Sequence, residues 1–122
     1  MSEQLSLSHL NPVTNLHSRE EFKNFLNSEE NYFVYFTATW CKFCSIAKPL
    51  VVKYLTELQN RSVPFTFLLL DADASRDIVN HLKIRGFPTT LLIRNNEVEE
   101  ICVGAGEEDI THFFNTSYKK IA

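Results

Sequence analysis

Residues 32–44, Tyr32-Phe33-Val34-Tyr35-Phe36-Thr37-Ala38-Thr39-Trp40-Cys41-Lys42-Phe43-Cys44, change periodicity in mid-run, and that change sets the fold class. Tyr32–Thr37 is aromatic and β-branched without strict alternation, the pattern of a strand buried on both faces at the centre of an α/β sheet. Beyond Trp40 the apolar positions recur at helical spacing. Ile46, Leu50, Tyr54 and Leu58 form one row and Ala47, Val51 and Leu55 the next, which predicts a long amphipathic helix over 41–59. Pro49 lies inside it, removes a backbone donor, and is expected to kink it about two turns in.

Strands and helices continue to alternate outward from this segment. Towards the C-terminus, Val63–Leu70 reads as a second buried strand and Ala74–Leu82 as a short helix. Thr89–Arg94 and Val98–Val103 read as two strands joined by Asn95-Asn96-Glu97, because Asn tolerates a positive φ. Glu107–Ile121 carries an apolar stripe of Ile110, Phe113, Phe114 and Ile121, with acids in its first turn and lysines in its last, matching the helix dipole. Towards the N-terminus, Ser18 and Glu21 can form a capping box opening a helix near 18–28, and Val13–Leu16 fits a short strand. Residues 1–11 lack a period and are expected to be a flexible arm before a domain spanning 12–122. The order is β-α-β-α-β-α-β-β-α, an α/β mixed sheet with helices on both faces.

The 122 residues and 14.1 kDa suffice for one domain, and 44% hydrophobic residues, ten Phe among them, supply its core. Twelve Lys and Arg against fifteen Asp and Glu give a net charge of −3, so no overall basic field suits nucleic acid. The longest apolar run, Val63–Leu70, is interrupted by Pro64 and Thr66 and falls short of a membrane span. The N-terminus Met1-Ser2-Glu3-Gln4 has no basic and apolar signal pattern, so a soluble, cytoplasmic protein is expected. Three cysteines, an odd number, agree with a reducing compartment.

Cys41 and Cys44 carry the chemistry. Thiols at i and i+3 in a first helical turn lie on one side, close enough to close a small disulfide ring. Because Cys41 follows a strand and opens a helix, its sulfur faces unpaired N–H groups and the positive dipole end, which hold a thiol's pKa below its usual value. Its thiolate is the attacking species in disulfide exchange, Cys44 is the better-shielded resolving thiol, and Lys42 adds positive charge nearby. Half of a zinc site is the competing reading. Tetrahedral zinc needs two further ligands, and Cys102 with His9, His17, His81 or His112 offers no paired spacing, so no metal is expected. Trp40 suits an exposed docking position beside the nucleophile better than core packing. Cys102 reads as a small buried hydrophobe.

With these residues in view the chain resembles the thioredoxin family from about Val13 onward. The carrying motifs are Trp40-Cys41-Lys42-Phe43-Cys44, Pro49 in the helix behind it, Arg85-Gly86-Phe87-Pro88-Thr89, and Gly104-Ala105. The resemblance implies a thioredoxin fold with a central sheet of four to five strands. It also implies a cis bond before Pro88, and a substrate-docking surface of Trp40, Ala72, Phe87, Pro88, Val103, Gly104 and Ala105 around Cys41. Three features depart from the family. Lys42-Phe43 replaces Gly-Pro between the cysteines, which retunes the redox potential. Tyr35 stands where thioredoxins place a buried acid, and Leu69 replaces a partner lysine, so a water or the Tyr35 hydroxyl would have to assist proton transfer at Cys44.

The expected activity is thiol–disulfide oxidoreduction, most simply the reduction of protein disulfides through a mixed disulfide, with no organic cofactor. The implied partners are protein disulfides and a thioredoxin reductase, and the implied state is a monomer. Two alternatives are a protein-binding module with a vestigial dithiol, and a disulfide oxidase or isomerase.

Overall fold

The computed structural model describes residues 7–26 and 30–122. Four strands, β1 (Tyr32–Thr37), β2 (Thr66–Asp71), β3 (Thr89–Arg94) and β4 (Glu97–Val103), form one mixed sheet in the order β2-β1-β3-β4. β1 runs parallel to β2 and antiparallel to β3, and β3 runs antiparallel to β4. The helices are α1 (Arg19–Phe25), α2 (Lys42–Asn60), α3 (Arg76–Leu82) and α4 (Glu107–Ile121).

β1 is buried along both faces, as its sequence demands. Val34 and Phe36 point to one side, where they meet Leu68, Leu70, Leu91 and residues of α1 and α3. Phe33 and Tyr35 point to the other, into a cluster with Val51 and Leu55 of α2 and Ile110, Phe113 and Phe114 of α4. Phe33 is fully buried, its ring 5.5–6.1 Å from those of Phe65, Phe113 and Phe114. Burying one such side chain contributes about 1.5–3 kcal/mol.

Local chemistry explains where the boundaries differ from the expected ones. The strand expected at Val13–Leu16 shrinks to one parallel bridge, in which Val13 donates to Phe67 and accepts from Leu69, both at 2.9 Å. β2 begins after Pro64, which has no N–H to offer a ladder. α1 has its capping box, with the Ser18 Oγ accepting from the Glu21 N–H. The Glu21 carboxylate takes the His17 and Ser18 N–H groups, which hold its pKa below the usual range. The end of that expected helix, at 27–28, lies outside the described residues. α3 starts at Arg76, later than expected, with Ser75 as its N-cap, and the Ser75 hydroxyl makes no cap bond but donates to the Leu16 carbonyl at 2.6 Å. The hairpin turn needs only Asn95 and Asn96, at φ 53° and 65°, so Glu97 already pairs with Arg94 in β4.

Two further differences concern packing. Of the expected arm, residues 1–6 lie outside the described residues, while Leu7 and Leu10 are buried in the α2/α4 cluster and Gln59 donates to the His9 carbonyl at 2.8 Å. α2 is continuous across Pro49, and its apolar rows are buried unevenly, Leu58 of the outer row joining the same cluster as the inner row. Ala47, Val51 and Leu55 are core, whereas Ile46 stands in solvent. No described helix is long and apolar enough to cross a membrane.

Candidate active site

The switch from β1 to α2 places the two sulfurs. Cys41 is the N-cap of α2, in extended backbone conformation, and Cys44 lies one turn on, with 5.4 Å between their α-carbons. The two are joined as a disulfide. The Cys41 Sγ accepts the Cys44 N–H at 3.2 Å, taking the position that a Ser or Asp oxygen fills in an ordinary N-cap. The first turn of α2 contains no acidic residue, so nothing else on the helix competes for its positive end. Cys41 is 8% exposed and Cys44 only 1%. Both are buried, Cys41 the less deeply of the two.

The rim is aromatic and apolar. Trp40 is 63% exposed, and its ring meets the Phe87 ring edge-on at 5.8 Å. Phe43, 59% exposed, projects from the first turn of α2 next to Lys42. The Phe87–Pro88 peptide bond is cis. The turn around it is fixed by the Thr89 hydroxyl, which donates to the Gly86 carbonyl at 2.6 Å, and by the Gly104 N–H, which donates to the Pro88 carbonyl at 2.8 Å. The second of these bonds joins the Pro88 turn to the Val103–Ala105 loop. Gly104 has φ +105°, a backbone region that side chains disfavour, so a glycine is required there.

Of the residues expected around Cys41, Trp40, Phe87, Val103, Gly104 and Ala105 all present surface, whereas Pro88 is buried. Ala72 is also buried, its N–H donating to the Thr37 carbonyl at 2.7 Å, so it offers little area to a docking chain. Tyr35 lies beneath α2, and its hydroxyl donates to the Cys44 carbonyl at 2.8 Å, which ties it to the peptide. Leu69 is paired with Tyr35 across the β1/β2 ladder, so the two departures from the family are direct neighbours.

Sequence reasoning missed Asp73. Its carboxylate accepts the Trp40 Nε1–H at 3.0 Å and pairs with Arg76 at 3.4 Å, so it sets the angle of the tryptophan. The only cue was an acid soon after a strand end, and many positions share it. Cys102 is remote from the pair. It sits in the α2/α4 cluster, while Cys41 and Cys44 belong to the cluster on the other face of the sheet. Burial pushes the Cys102 pKa up, and the Asp109 carboxylate adds to the effect. Among the described residues no group of three His, Cys, Asp or Glu side chains converges on a metal-sized site.

Two sulfurs that bond to each other across the first turn of a helix, in a chain of this fold, define a class: thiol–disulfide oxidoreductases of the thioredoxin fold. The chain belongs to the thioredoxin family, whose model matches residues 13–116. It is 28% identical over 91 residues to thioredoxin H3 of Arabidopsis thaliana, covering 75% of this chain and 74% of that one. It is also 30% identical over 110 residues to a peptide-N(4)-(N-acetyl-beta-glucosaminyl)asparagine amidase of Caenorhabditis elegans, a match that takes in 88% of this chain but only 18% of that protein. Among solved structures, thioredoxin from Trypanosoma brucei brucei superposes with a TM-score of 0.75 over 90% of both chains at 23% identity, a likeness of fold.

Proposed function

We propose that this protein reduces disulfides in other proteins, with Cys41 as nucleophile and Cys44 as resolving thiol. The Cys41 thiolate attacks one sulfur of the client disulfide; a bond forms between them, the client S–S bond breaks, and the second client sulfur leaves as a thiolate that takes up a proton. Cys44, deprotonated, then attacks the Cys41 sulfur. The Cys41–Cys44 bond forms, the mixed disulfide breaks, and the client departs as a dithiol. Two electrons and two protons have passed to the client. An external dithiol reductant, in the cell a thioredoxin reductase of the cytoplasm, restores the pair.

The observation that carries this reading is the Cys44 N–H aimed at the Cys41 sulfur in a helical turn free of acids, since a donor and a positive dipole end both favour the thiolate. Trp40, Phe87, Pro88, Val103, Gly104 and Ala105 provide the docking rim, with Ala72 as a minor contributor below it. Lys42 and Phe43 set the potential of the pair, and Tyr35 positions the turn through the Cys44 carbonyl. Insulin reduction driven by dithiothreitol tests the proposal. The wild type accelerates precipitation of the insulin B chain, and Cys41→Ser returns the rate to that of dithiothreitol alone; unchanged activity in Cys41→Ser rejects it. Equilibration of the pair with glutathione gives the potential and decides between net reduction and net oxidation of clients.

A further inference from the structure

The segment that opens the described chain packs on α2, and between the two lies a cleft of about 410 Å³. That volume falls among small-molecule sites, which run from roughly 300 to 1,000 Å³. None of Trp40, Cys41, Cys44, Phe87 or Pro88 lines it. Leu7 and Val52, both buried, and the Pro49 ring give it apolar walls. Its neutral polar groups are already engaged. The Thr56 hydroxyl donates to the Val52 carbonyl at 2.7 Å and meets the His9 Nε2 at 2.7 Å, while the His9 carbonyl accepts from Gln59. Half-buried Lys48 and exposed Lys53 line the cleft from the helix, and neither is ion-paired among the described residues. Lys53 has only the Tyr54 ring, 5.6 Å from its ammonium. From Lys42 to Thr56 the chain places three lysines and no acid, although its net charge is −3.

We infer that this cleft binds a free amphipathic anion, a carboxylate carrying one apolar chain. Charge complementarity selects the head. Two ammonium groups without carboxylates flank an apolar floor, so an anion is attracted by both and a cation repelled by both. Glu57, one helical turn beyond Lys53, keeps a carboxylate from the other end, so the head lies between the lysines and the tail runs towards Thr56. The floor selects the tail. A peptide would bring backbone N–H and C=O groups, which are costly to bury without partners, and Thr56 and His9 have theirs already. A hydrocarbon chain needs no partner and gains by covering Leu7, Pro49 and Val52. The site is independent of the redox chemistry, since none of its residues belongs to the dithiol or to the proposed rim.

The test titrates decanoate, below its micelle concentration, into the full-length protein, followed by calorimetry and by amide NMR shifts. Decyltrimethylammonium carries the same chain with a positive head, and acetate carries the head alone. Decanoate is expected to saturate a single site, with its largest shifts at Leu7, Val52 and Thr56. Decyltrimethylammonium is expected to bind at least about tenfold more weakly, and acetate not to saturate. In the double variant Lys48→Glu, Lys53→Glu the order of decanoate and decyltrimethylammonium is expected to reverse. Neither lysine belongs to a core cluster, and a reversal, unlike a simple loss, is not produced by unfolding. Absence of saturable decanoate binding overturns the inference, as do equal affinities for anion and cation, largest shifts outside the cleft, or an unchanged order in the double variant. Binding to vesicles of anionic phospholipid without binding of free decanoate makes the lysines a membrane contact and overturns it too. If deleting residues 2–6 shifts the same amides while decanoate does not, the start of the chain is the occupant and the inference falls.

Discussion

Cys41 and Cys102 are hidden to nearly the same degree, 8% and 6% exposed, yet their surroundings are opposite. Cys41 caps α2, receives a backbone N–H and has no acid in the adjoining helical turn. Cys102 lies next to the last residue of β4 and feels Asp109 at the start of α4, where Glu107, Glu108 and Asp109 crowd the first turn. α4 has spent its positive end on carboxylates, whereas α2 keeps its own for a sulfur. Burial alone therefore says little about a thiol. What decides its chemistry is the sign of the field and the donors that meet it.

The contrast breaks most completely at Cys44. With the proposed roles, Cys44→Ser is expected to leave Cys41 able to attack with nothing to resolve the product, so that turnover stops and disulfide-linked clients accumulate; non-reducing gels and mass spectrometry of trapped complexes check this. Next in size is selective alkylation of the reduced native protein. Iodoacetamide at neutral pH should modify Cys41 at least about a hundredfold faster than Cys102, because only the thiolate reacts. Peptide mapping over time measures both, and equal rates would erase the distinction drawn here. A smaller effect comes from placing an acid in the first turn of α2. Lys42→Glu is expected to raise the Cys41 pKa and slow its alkylation at pH 7 by several-fold, from a dipole and charge effect of about 0.3–1 kcal/mol per group, read from the pH dependence of the rate.

Cys102 supplies the smallest effects. Its thiol holds its proton to a higher pH in the fold than in the unfolded chain, so the unfolded chain binds fewer protons in the alkaline range. Its contribution to stability is complete below the unfolded thiol's pKa and is lost as pH rises through the folded one. Urea midpoints taken upward from about pH 8 should fall less steeply in Cys102→Ala than in wild type. Asp109→Asn removes the lesser of the two causes, so it should lower the Cys102 pKa modestly while burial keeps it raised; the pH profile of thiol alkylation in a Cys41→Ser, Cys44→Ser background reads this.

Much of the site was legible in the chain because it is local. Trp40 through Cys44 are consecutive, and a helical turn brings i and i+3 together wherever it forms. The arms of the proposed rim were named only through resemblance, since Phe87 and Gly104 lie far from Trp40 in sequence and nothing in their own neighbourhoods states that the Phe87 ring meets the Trp40 ring or that Gly104 bonds to Pro88. Asp73 was missed for the same reason. Its bond to Trp40 spans 33 positions and depends on the parallel pairing of β1 with β2. Ala72 was placed in the rim, and the same pairing buries it.

By itself the sequence determined the alternation of strands and helices, the burial of β1 on both faces, the capping of α1 by Ser18 and the placement of two thiols on one helical turn. Each follows from interactions among residues a few positions apart, whose strength the chain sets before it folds. Tertiary structure alone decided how far each apolar row of α2 went inward and left Phe43 and Ile46 in water. It also decided which sulfur faced a carboxylate, and that the stretch from Leu7 to Asn11 would pack. Those outcomes depend on what lies across the sheet, which no local pattern encodes.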